Sequence, residues 1–167
     1  DGHNGWLLFL DEFNSASNAV QAAAYKVTLD RQIGKHSLHK NCVVMCAGNK
    51  RTDGAIVNRL STAMQSRLVH INLDVSFDNF IDYAAEANID HRITDYIKFK
   101  PESLYRFSSD HNDETYPCPR TWEFVHRLIH KWDSIHINKL PLLAGTIGEG
   151  AAREFLTFTK IYKSLPK

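Results

Sequence analysis

The stretch Trp6-Leu7-Leu8-Phe9-Leu10-Asp11-Glu12 is a continuous apolar run that ends in two acids. A second run, Val43-Val44-Met45-Cys46-Ala47-Gly48-Asn49, ends in a polar amide. Short apolar runs that are continuous rather than alternating are typical of strands buried on both faces of a parallel sheet. We therefore predict two neighbouring buried strands whose polar ends lie at the same edge of the sheet.

Helices are expected between and after these strands. Asn14 or Ser15 is a candidate N-cap for the first helix, and Asp53 or Gly54 opens the next one. Residues 69–73 then alternate between apolar and polar side chains, which predicts a third strand. This alternation of strands and helices indicates a parallel α/β sheet.

The pattern changes after Val75, and the rest of the chain is expected to be helical. Ser76 is a candidate N-cap, and a later helix is expected to be interrupted or to end near Pro101. Aromatic side chains at helical spacing are expected to form the core of this part; they are Trp122, Trp132, Phe155 and Phe158. A turn is expected at three glycines, Gly145, Gly148 and Gly150.

Length and composition exclude several classes of protein. A chain of 167 residues can bury a real core in one domain or slightly more. The net charge of +1 gives no broad basic surface, so charge alone does not imply nucleic acid. No stretch approaches the roughly 18 consecutive apolar residues of a membrane span. The three cysteines, Cys42, Cys46 and Cys118, form no disulfide framework or zinc spacing, so a reducing cytoplasm is the expected compartment.

Asp11 and Glu12 are the first candidate functional residues. They leave the carboxyl end of a predicted parallel strand, the edge at which open sheets bind ligands. Adjacent residues point in opposite directions, so one acid can face a Mg²⁺ shell and the other an attacking water. Asn49, at the end of the adjoining strand, could orient that water or contact the γ-phosphate. The alternatives are a strand that ends in solvated acids and an Asn that forms a turn before Lys50.

Arg67 is the next candidate, because it ends a predicted helix and directly precedes a predicted strand. A guanidinium at that place could neutralise charge on a phosphate during its transfer. It could equally complement the dipole at the helix C-terminus. Arg59 is a nearby rival that is expected to be solvated or held in a structural ion pair.

Five short motifs follow one another along the chain. They are Leu8-Phe9-Leu10-Asp11-Glu12-Phe13-Asn14, Asp30-Arg31-Gln32-Ile33-Gly34, Cys46-Ala47-Gly48-Asn49, Asn58-Arg59-Leu60-Ser61-Thr62-Ala63-Met64-Gln65-Ser66-Arg67 and Pro119-Arg120-Thr121-Trp122-Glu123. Together they resemble the second half of an AAA+ ATPase of the MoxR-like, dynein-related group, including versions common in bacteriophages. The resemblance covers most of the chain.

The resemblance implies a role for each candidate residue. Asp11 and Glu12 would be the Walker B acids, with Asp11 holding Mg²⁺ through its water shell, and Asn49 would be sensor 1. Arg67 would be the arginine finger, acting in the site of the neighbouring subunit, and Arg120 would be sensor 2. Glu12, Asn49 and Arg67 would then serve hydrolysis, while Asp11, Glu12, Asn49 and Arg120 would contact ATP.

The resemblance also implies a fold and a domain division. Residues 1–75 would be the later part of the α/β core of a P-loop NTPase, from Walker B to the arginine finger. Residues 76–167 would form an all-α lid. The glycine-rich segment Gly145–Phe158 resembles a tail of the phage-type members, and no mechanism is assigned to it.

One element of the family is missing, since these residues contain no Gly-x-x-x-x-Gly-Lys-[Ser/Thr] loop. That loop supplies the backbone N–H groups and the lysine that hold the β- and γ-phosphates. The opening Asp1-Gly2-His3-Asn4-Gly5 has no initiator Met, so we expect a piece of a longer protein. Alone, it is expected to bind ATP weakly or not at all and to show no turnover.

Two functions from different classes remain open. In the first, the intact protein hydrolyses ATP in the cytoplasm as a ring of identical subunits, with a hexamer as one candidate size, and remodels a protein partner. In the second, the chain is a non-enzymatic interaction domain that binds a protein or nucleic acid, and its acids are solvated. Nucleic acid has little support from the near-neutral charge, and no membrane partner is expected.

Overall fold

The computed structural model describes residues 4–50, 57–108 and 114–162. The chain divides into two compact units, Asp1–Ile71 and Asn72–Lys167. Within the described ranges it is a mixed α/β protein with a small parallel sheet and seven α-helices. None of those helices has the length and apolar character that crossing a membrane requires.

The first unit contains the strands. In chain order its elements are β1 (Trp6–Leu10), α1 (Asn18–Tyr25) with a π-helical continuation (Lys26–Asp30), β2 (Gln32–Ile33), β3 (His36–Ser37), β4 (Cys42–Cys46) and α2 (Thr62–Gln65). β2 and β3 form a short antiparallel hairpin, while β1 and β4 pair in parallel. The register of the parallel pair runs from Trp6 opposite Cys42 to Leu10 opposite Cys46. The predicted neighbouring strands are therefore confirmed, and both end at the same edge.

The predicted burial of these strands is wrong for the described part of the chain. Trp6 is 70% exposed and Leu7 is 60% exposed, and adjacent residues of a strand point to opposite faces. The face of the β1–β4 sheet that carries Leu7, Phe9, Val43 and Met45 is thus open, whereas the opposite face is partly covered and buries Cys42. The reason is the scarcity of covering elements, since α1 buries none of its own residues. Two strands and a short helix offer too little surface to enclose a sheet.

The predicted third strand is also wrong. Residues 69–73 form no strand, and Val69 and Leu73 are 90% and 89% exposed. An alternating pattern favours a strand only where another strand supplies backbone hydrogen bonds, and within the described residues none pairs with this segment.

The first helix begins later than predicted. Ser17, rather than Asn14 or Ser15, caps α1, because its hydroxyl accepts the hydrogen bond from the N–H of Val20. The predicted opening of the next helix at Asp53 or Gly54 lies outside the described residues. What the structure describes there is one helical turn, Thr62–Gln65, which Ser61 caps.

The second unit is entirely helical in its described part. Its elements are α3 (Phe77–Glu86), α4 (His91–Phe99), a 3-10 turn (Pro101–Ser103), α5 (Pro119–Ile129), a second 3-10 turn (Ile137–Lys139), α6 (Leu140–Ile147) and α7 (Glu149–Tyr162). Ser76 caps α3 by accepting from the N–H of Asn79, as predicted. The expected helix end near Pro101 is likewise confirmed, because α4 stops two residues before it.

The turn predicted at Gly145, Gly148 and Gly150 is confirmed at only one of these glycines. Gly148 makes the turn between α6 and α7, with φ at +81° and ψ at 152°. Gly145 and Gly150 instead lie inside the two helices. The turn therefore depends on one glycine, at a backbone conformation that residues with a side chain rarely adopt.

Aromatic side chains fill the centre of the second unit, as predicted. Tyr96, Trp122 and Phe155 are almost fully buried, and their ring centroids lie 5.4 to 5.6 Å apart. Trp132 and Phe158 pack partly buried against them. The indole N–H of Trp122 donates to the carbonyl of Ser103 at 2.9 Å, so the largest buried side chain keeps its hydrogen bond.

A buried ion pair joins the start of α4 to the end of α5. Arg92 donates to both carboxylate oxygens of Asp90, at 2.8 and 2.6 Å. It also donates to the carbonyls of Ile129 and Trp132, each at 2.8 Å. Burial by itself raises the pKa of Asp90, but the hydrogen bonds from Arg92 outweigh it and hold that pKa below its ordinary value.

Candidate functional site

The candidate site lies where β1 and β4 end. The N–H of Ala47 donates to the carbonyl of Leu10 at 2.9 Å, and the N–H of Phe13 donates to the carbonyl of Ala47 at 2.8 Å. These two bonds continue the parallel ladder beyond the last paired residues. They hold the turn after β1 against the end of β4, so polar residues that are distant in sequence become neighbours.

Glu12 and Asn49 meet at this edge. The side-chain amide of Asn49 donates to Oε2 of Glu12 at 3.2 Å, and it lies 3.5 Å from Oε1. The hydroxyl of Ser15 donates to the same Oε2 at 2.7 Å. The structure thus brings together the acid and the amide that the sequence placed on neighbouring strands.

Glu12 occupies a left-handed backbone conformation, with φ at +53°. For a residue with a side chain this conformation costs about 1–2 kcal/mol. The surrounding bonds offset the cost, because the N–H of Glu12 donates to Oδ1 of Asp11 at 2.9 Å while its carboxylate is held by Ser15 and Asn49. Strain that is maintained in this way is common at functional sites.

Asp11 lies exposed beside Glu12. One of its oxygens, Oδ1, accepts the N–H of Glu12, and Oδ2 makes no hydrogen bond or ion pair within the described residues. It therefore has one carboxylate oxygen available for a ligand. The described part of the chain contains no group of three His, Cys, Asp or Glu side chains that could hold a metal by themselves. This donor set suits Mg²⁺ only where a bound phosphate and waters supply the remaining oxygens.

Asn14 is a site residue that the sequence did not reveal in this role. Its Nδ2 donates to the carbonyl of Asn49 at 2.7 Å, and its Oδ1 accepts the N–H of Asn49 at 3.1 Å. The sequence predicted only a helix cap at this position. What could have indicated more is a polar residue two positions after the second acid, combined with a glycine before Asn49.

Arg67 follows α2 and is exposed. Its Nη1 donates to the carbonyl of Ala63, the second residue of that short helix, at 3.0 Å. Within the described ranges it makes no hydrogen bond or ion pair with Asp11, Glu12 or Asn49. In a single chain, Arg67 thus contacts a carbonyl of the short helix that it follows.

Arg59 borders an open hollow in the first unit, of about 690 Å³. The hollow is lined by Asn14, Asn58, Arg59, Leu60, Gln65 and His70. Several of these polar groups are already engaged with the backbone; for example, the Gln65 amide donates to the carbonyl of Leu60 at 2.7 Å. Arg59 itself is exposed, which agrees with the expectation that it is solvated.

Arg120 belongs to the second unit. It is the second residue of α5, where its side chain is exposed. The first turn of that helix is closed by Thr121, whose hydroxyl accepts the N–H of Cys118 at 2.8 Å. Since the exposed guanidinium of Arg120 takes no part in this capping, it is available to a ligand or to another protein surface.

The chain matches no known protein-family model, and no curated protein or solved structure shows significant similarity to it. The resemblance described from the sequence thus rests on the short motifs and on their order.

Proposed function

We propose that the intact protein is an ATPase of the AAA+ class, of the MoxR-like group, that works in the cytoplasm as a ring of identical subunits and remodels a protein partner. The observation that carries the proposal is the hydrogen bond between Asn49 and Glu12 at the joined ends of parallel strands β1 and β4. A carboxylate and an amide held side by side at such an edge can orient and deprotonate a water molecule.

Each residue of the site has a defined task in this proposal. Glu12 accepts the proton of the attacking water, and Asn49 fixes the direction in which the carboxylate and the water face. Asp11 offers its free oxygen to the water shell of a magnesium ion. When bound with ATP, Mg²⁺ would neutralise part of the phosphate charge. Phosphoryl transfer requires mainly positioning and charge stabilisation, which these side chains provide.

In this proposal, Arg67 acts in the site of an adjacent subunit and Arg120 acts from the helical lid. Arg67 is exposed, and its contact with Ala63 uses only one of its guanidinium nitrogens, so it can extend to a phosphate in the site of an adjacent subunit. Arg120 is exposed at the start of α5 and would contact the nucleotide from the helical lid. The phosphate loop is not among these 167 residues, so the proposal requires it elsewhere in the intact protein.

The test compares ATP hydrolysis by the full-length protein with hydrolysis by the 167-residue chain. We expect turnover only in the full-length form, and we expect Glu12→Gln to abolish it while ATP binding persists. Asp78→Asn, which changes an acid in the second unit, is the matched control and should leave turnover unchanged. Full activity in the Glu12→Gln variant would contradict the proposal.

A non-enzymatic interaction domain is the second candidate. The observation that favours it is the exposure of large apolar side chains in the first unit, such as Trp6, Leu7, Val69 and Ile71. Absence of turnover in the full-length protein, together with absence of a phosphate loop from its sequence, would favour this second function.

A further inference from the structure

Both polar atoms of the Asn14 side chain make hydrogen bonds to the backbone of Asn49. Nδ2 donates to the carbonyl of Asn49 at 2.7 Å, and Oδ1 accepts the N–H of Asn49 at 3.1 Å. Only one orientation of the amide satisfies both bonds, because the donor must face the carbonyl and the acceptor must face the N–H. Two bonds to one residue fix its orientation as well as its position.

Gly48 allows this approach. A Cβ built on Gly48 would lie 2.2 Å from Oδ1 of Asn14 and 2.7 Å from its Cγ. Such distances are far inside van der Waals contact, so any side chain at position 48 would displace the Asn14 amide. Gly48 is therefore needed for the space it leaves, and the contact of Asn14 with Asn49 depends on it.

The turn that carries Asn14 is itself anchored. Its backbone carbonyl accepts the N–H of Asn58 at 2.7 Å. The side chain of Asn58 donates to the carbonyl of Ala16 at 2.9 Å, and Gln21 donates to the same carbonyl at 3.0 Å. Asn14 thus connects three segments: the turn after β1, the end of β4 and the segment that begins at residue 57.

We infer that Asn14 is a positioning residue for hydrolysis, which holds Asn49 where its side-chain amide reaches Glu12. The inference rests on the proposed function. Asn14 makes no hydrogen bond to Glu12 in the described residues, so it acts through Asn49 alone. Without it, the backbone of Asn49 loses both bonds and its side chain no longer has a fixed distance to the carboxylate.

The kinetic test uses the full-length protein with Asn14→Ala, Gly48→Ala and the double variant. A misplacement of about 1 Å in a site lowers rates by up to about 100-fold, so we expect each single variant to lower kcat by about 10- to 100-fold. KM for ATP should change by less than about 2-fold, since the phosphate loop and the other residues that would contact ATP stay in place. The double variant should be no slower than the slower single variant, because both changes break the same contact.

Two further variants control for general damage. Asn14→Asp keeps the acceptor for the Asn49 N–H but loses the donor to its carbonyl, so its kcat should lie between those of the parent protein and Asn14→Ala. Asn18→Ala replaces an exposed Asn of the same unit and should leave kcat unchanged. Additive losses in the double variant, or an equal loss in Asn18→Ala, would overturn the inference.

Hydrogen exchange of the Asn49 amide gives a readout that does not depend on ATP. Loss of the bond to Oδ1 should speed this exchange by about 2- to 10-fold in Asn14→Ala, while the Phe13 and Ala47 amides keep their protection. Unchanged exchange at Asn49 overturns the inference whatever the activity. Faster exchange of the Asn49 amide with a normal kcat would contradict the inference about Asn14 and leave the proposed function standing. A parent protein without turnover would contradict both the proposed function and the inference.

Discussion

The hydroxyl of Ser15 donates a 2.7 Å hydrogen bond to Oε2 of Glu12, the oxygen that also accepts from the Asn49 amide at 3.2 Å. Oε1 has only the longer 3.5 Å contact with the same amide. The two oxygens of the carboxylate are therefore unequal. Oε2 is fixed by two donors, and Oε1 keeps lone pairs that a water molecule could use.

Replacing Ser15 should test this asymmetry. In Ser15→Ala the carboxylate loses the shorter of its two good hydrogen bonds, so Glu12 is held less firmly. A hydrogen bond to a charged group is worth about 1.5–3 kcal/mol, and part of this should appear as a fall in kcat of about 10-fold. Steady-state ATP hydrolysis by the full-length protein measures the effect, and ATP affinity should not change.

Two serine variants provide the controls. Ser15→Thr keeps a hydroxyl and should retain most of the activity. Ser17→Ala removes the N-cap of α1 and should lower the free energy of unfolding by about 1 kcal/mol, with kcat unchanged. A loss of kcat in Ser17→Ala as large as that in Ser15→Ala would mean that Ser15 serves the fold and not Glu12.

The sequence predicted the pairing of β1 and β4 because continuous apolar runs and their polar ends are local properties. It failed at Val69, Ile71 and Leu73, where apolar residues alternate with polar ones but, in the described part of the chain, no neighbouring strand supplies hydrogen bonds. Burial is a property of the whole unit, so a pattern of apolar residues cannot by itself establish that other elements cover it.

The candidate site was predictable in part for the same reason. Glu12 and Asn49 each follow an apolar run, and parallel pairing brings such ends together. Asn14 was not predictable, because its role depends on the space above Gly48, which only the folded turn reveals. The role of Ser15 likewise depends on the positive φ of Glu12, which no residue type indicates.

The buried pair of Asp90 and Arg92 should be sensitive to loss of one partner. Arg92→Met leaves the Asp90 carboxylate buried without its cation and leaves the carbonyls of Ile129 and Trp132 without a donor. Breaking a buried pair in this way costs about 3–5 kcal/mol. Urea unfolding followed by circular dichroism measures the loss.

An exposed pair is the matched control for this experiment. Arg127 pairs with Glu123 four residues away on the surface of α5, with 65% of its side chain exposed. Arg127→Met should cost less than about 0.5 kcal/mol, since surface pairs contribute little. Equal losses in the two methionine variants would show that burial of Asp90 does not determine the effect.

Two glycines in the second unit should respond to alanine in opposite directions. Gly148 has φ at +81° and ψ at 152°, a region open essentially only to glycine, so Gly148→Ala should destabilise the chain by about 1–3 kcal/mol. Gly145 lies inside α6 with nothing within 4 Å of an added Cβ, so Gly145→Ala should stabilise it by about 0.5–1 kcal/mol. Thermal unfolding of both variants distinguishes the two effects by sign.

Acid should weaken the second unit through Glu154. This carboxylate accepts from Arg106 at 2.8 Å, Lys100 at 2.9 Å and the Tyr96 hydroxyl at 3.0 Å. The hydrogen bonds from Arg106, more than any other contact, lower the pKa of Glu154 from 4.5 to about 2. A carboxyl whose pKa is lowered by folding stabilises the fold above its unfolded pKa and loses that contribution as the pH falls through its folded pKa.

The resulting pH window lies between about pH 5 and pH 2. Over that range the free energy of unfolding of the parent chain should fall, and Glu154→Gln should show a shallower fall because it has no carboxyl to protonate there. Asp90, whose pKa is also lowered, leaves a residual slope in the variant. Urea unfolding at several pH values measures these slopes, and an unchanged slope in Glu154→Gln would contradict the assignment of the acid-sensitive contact to Glu154 and Arg106.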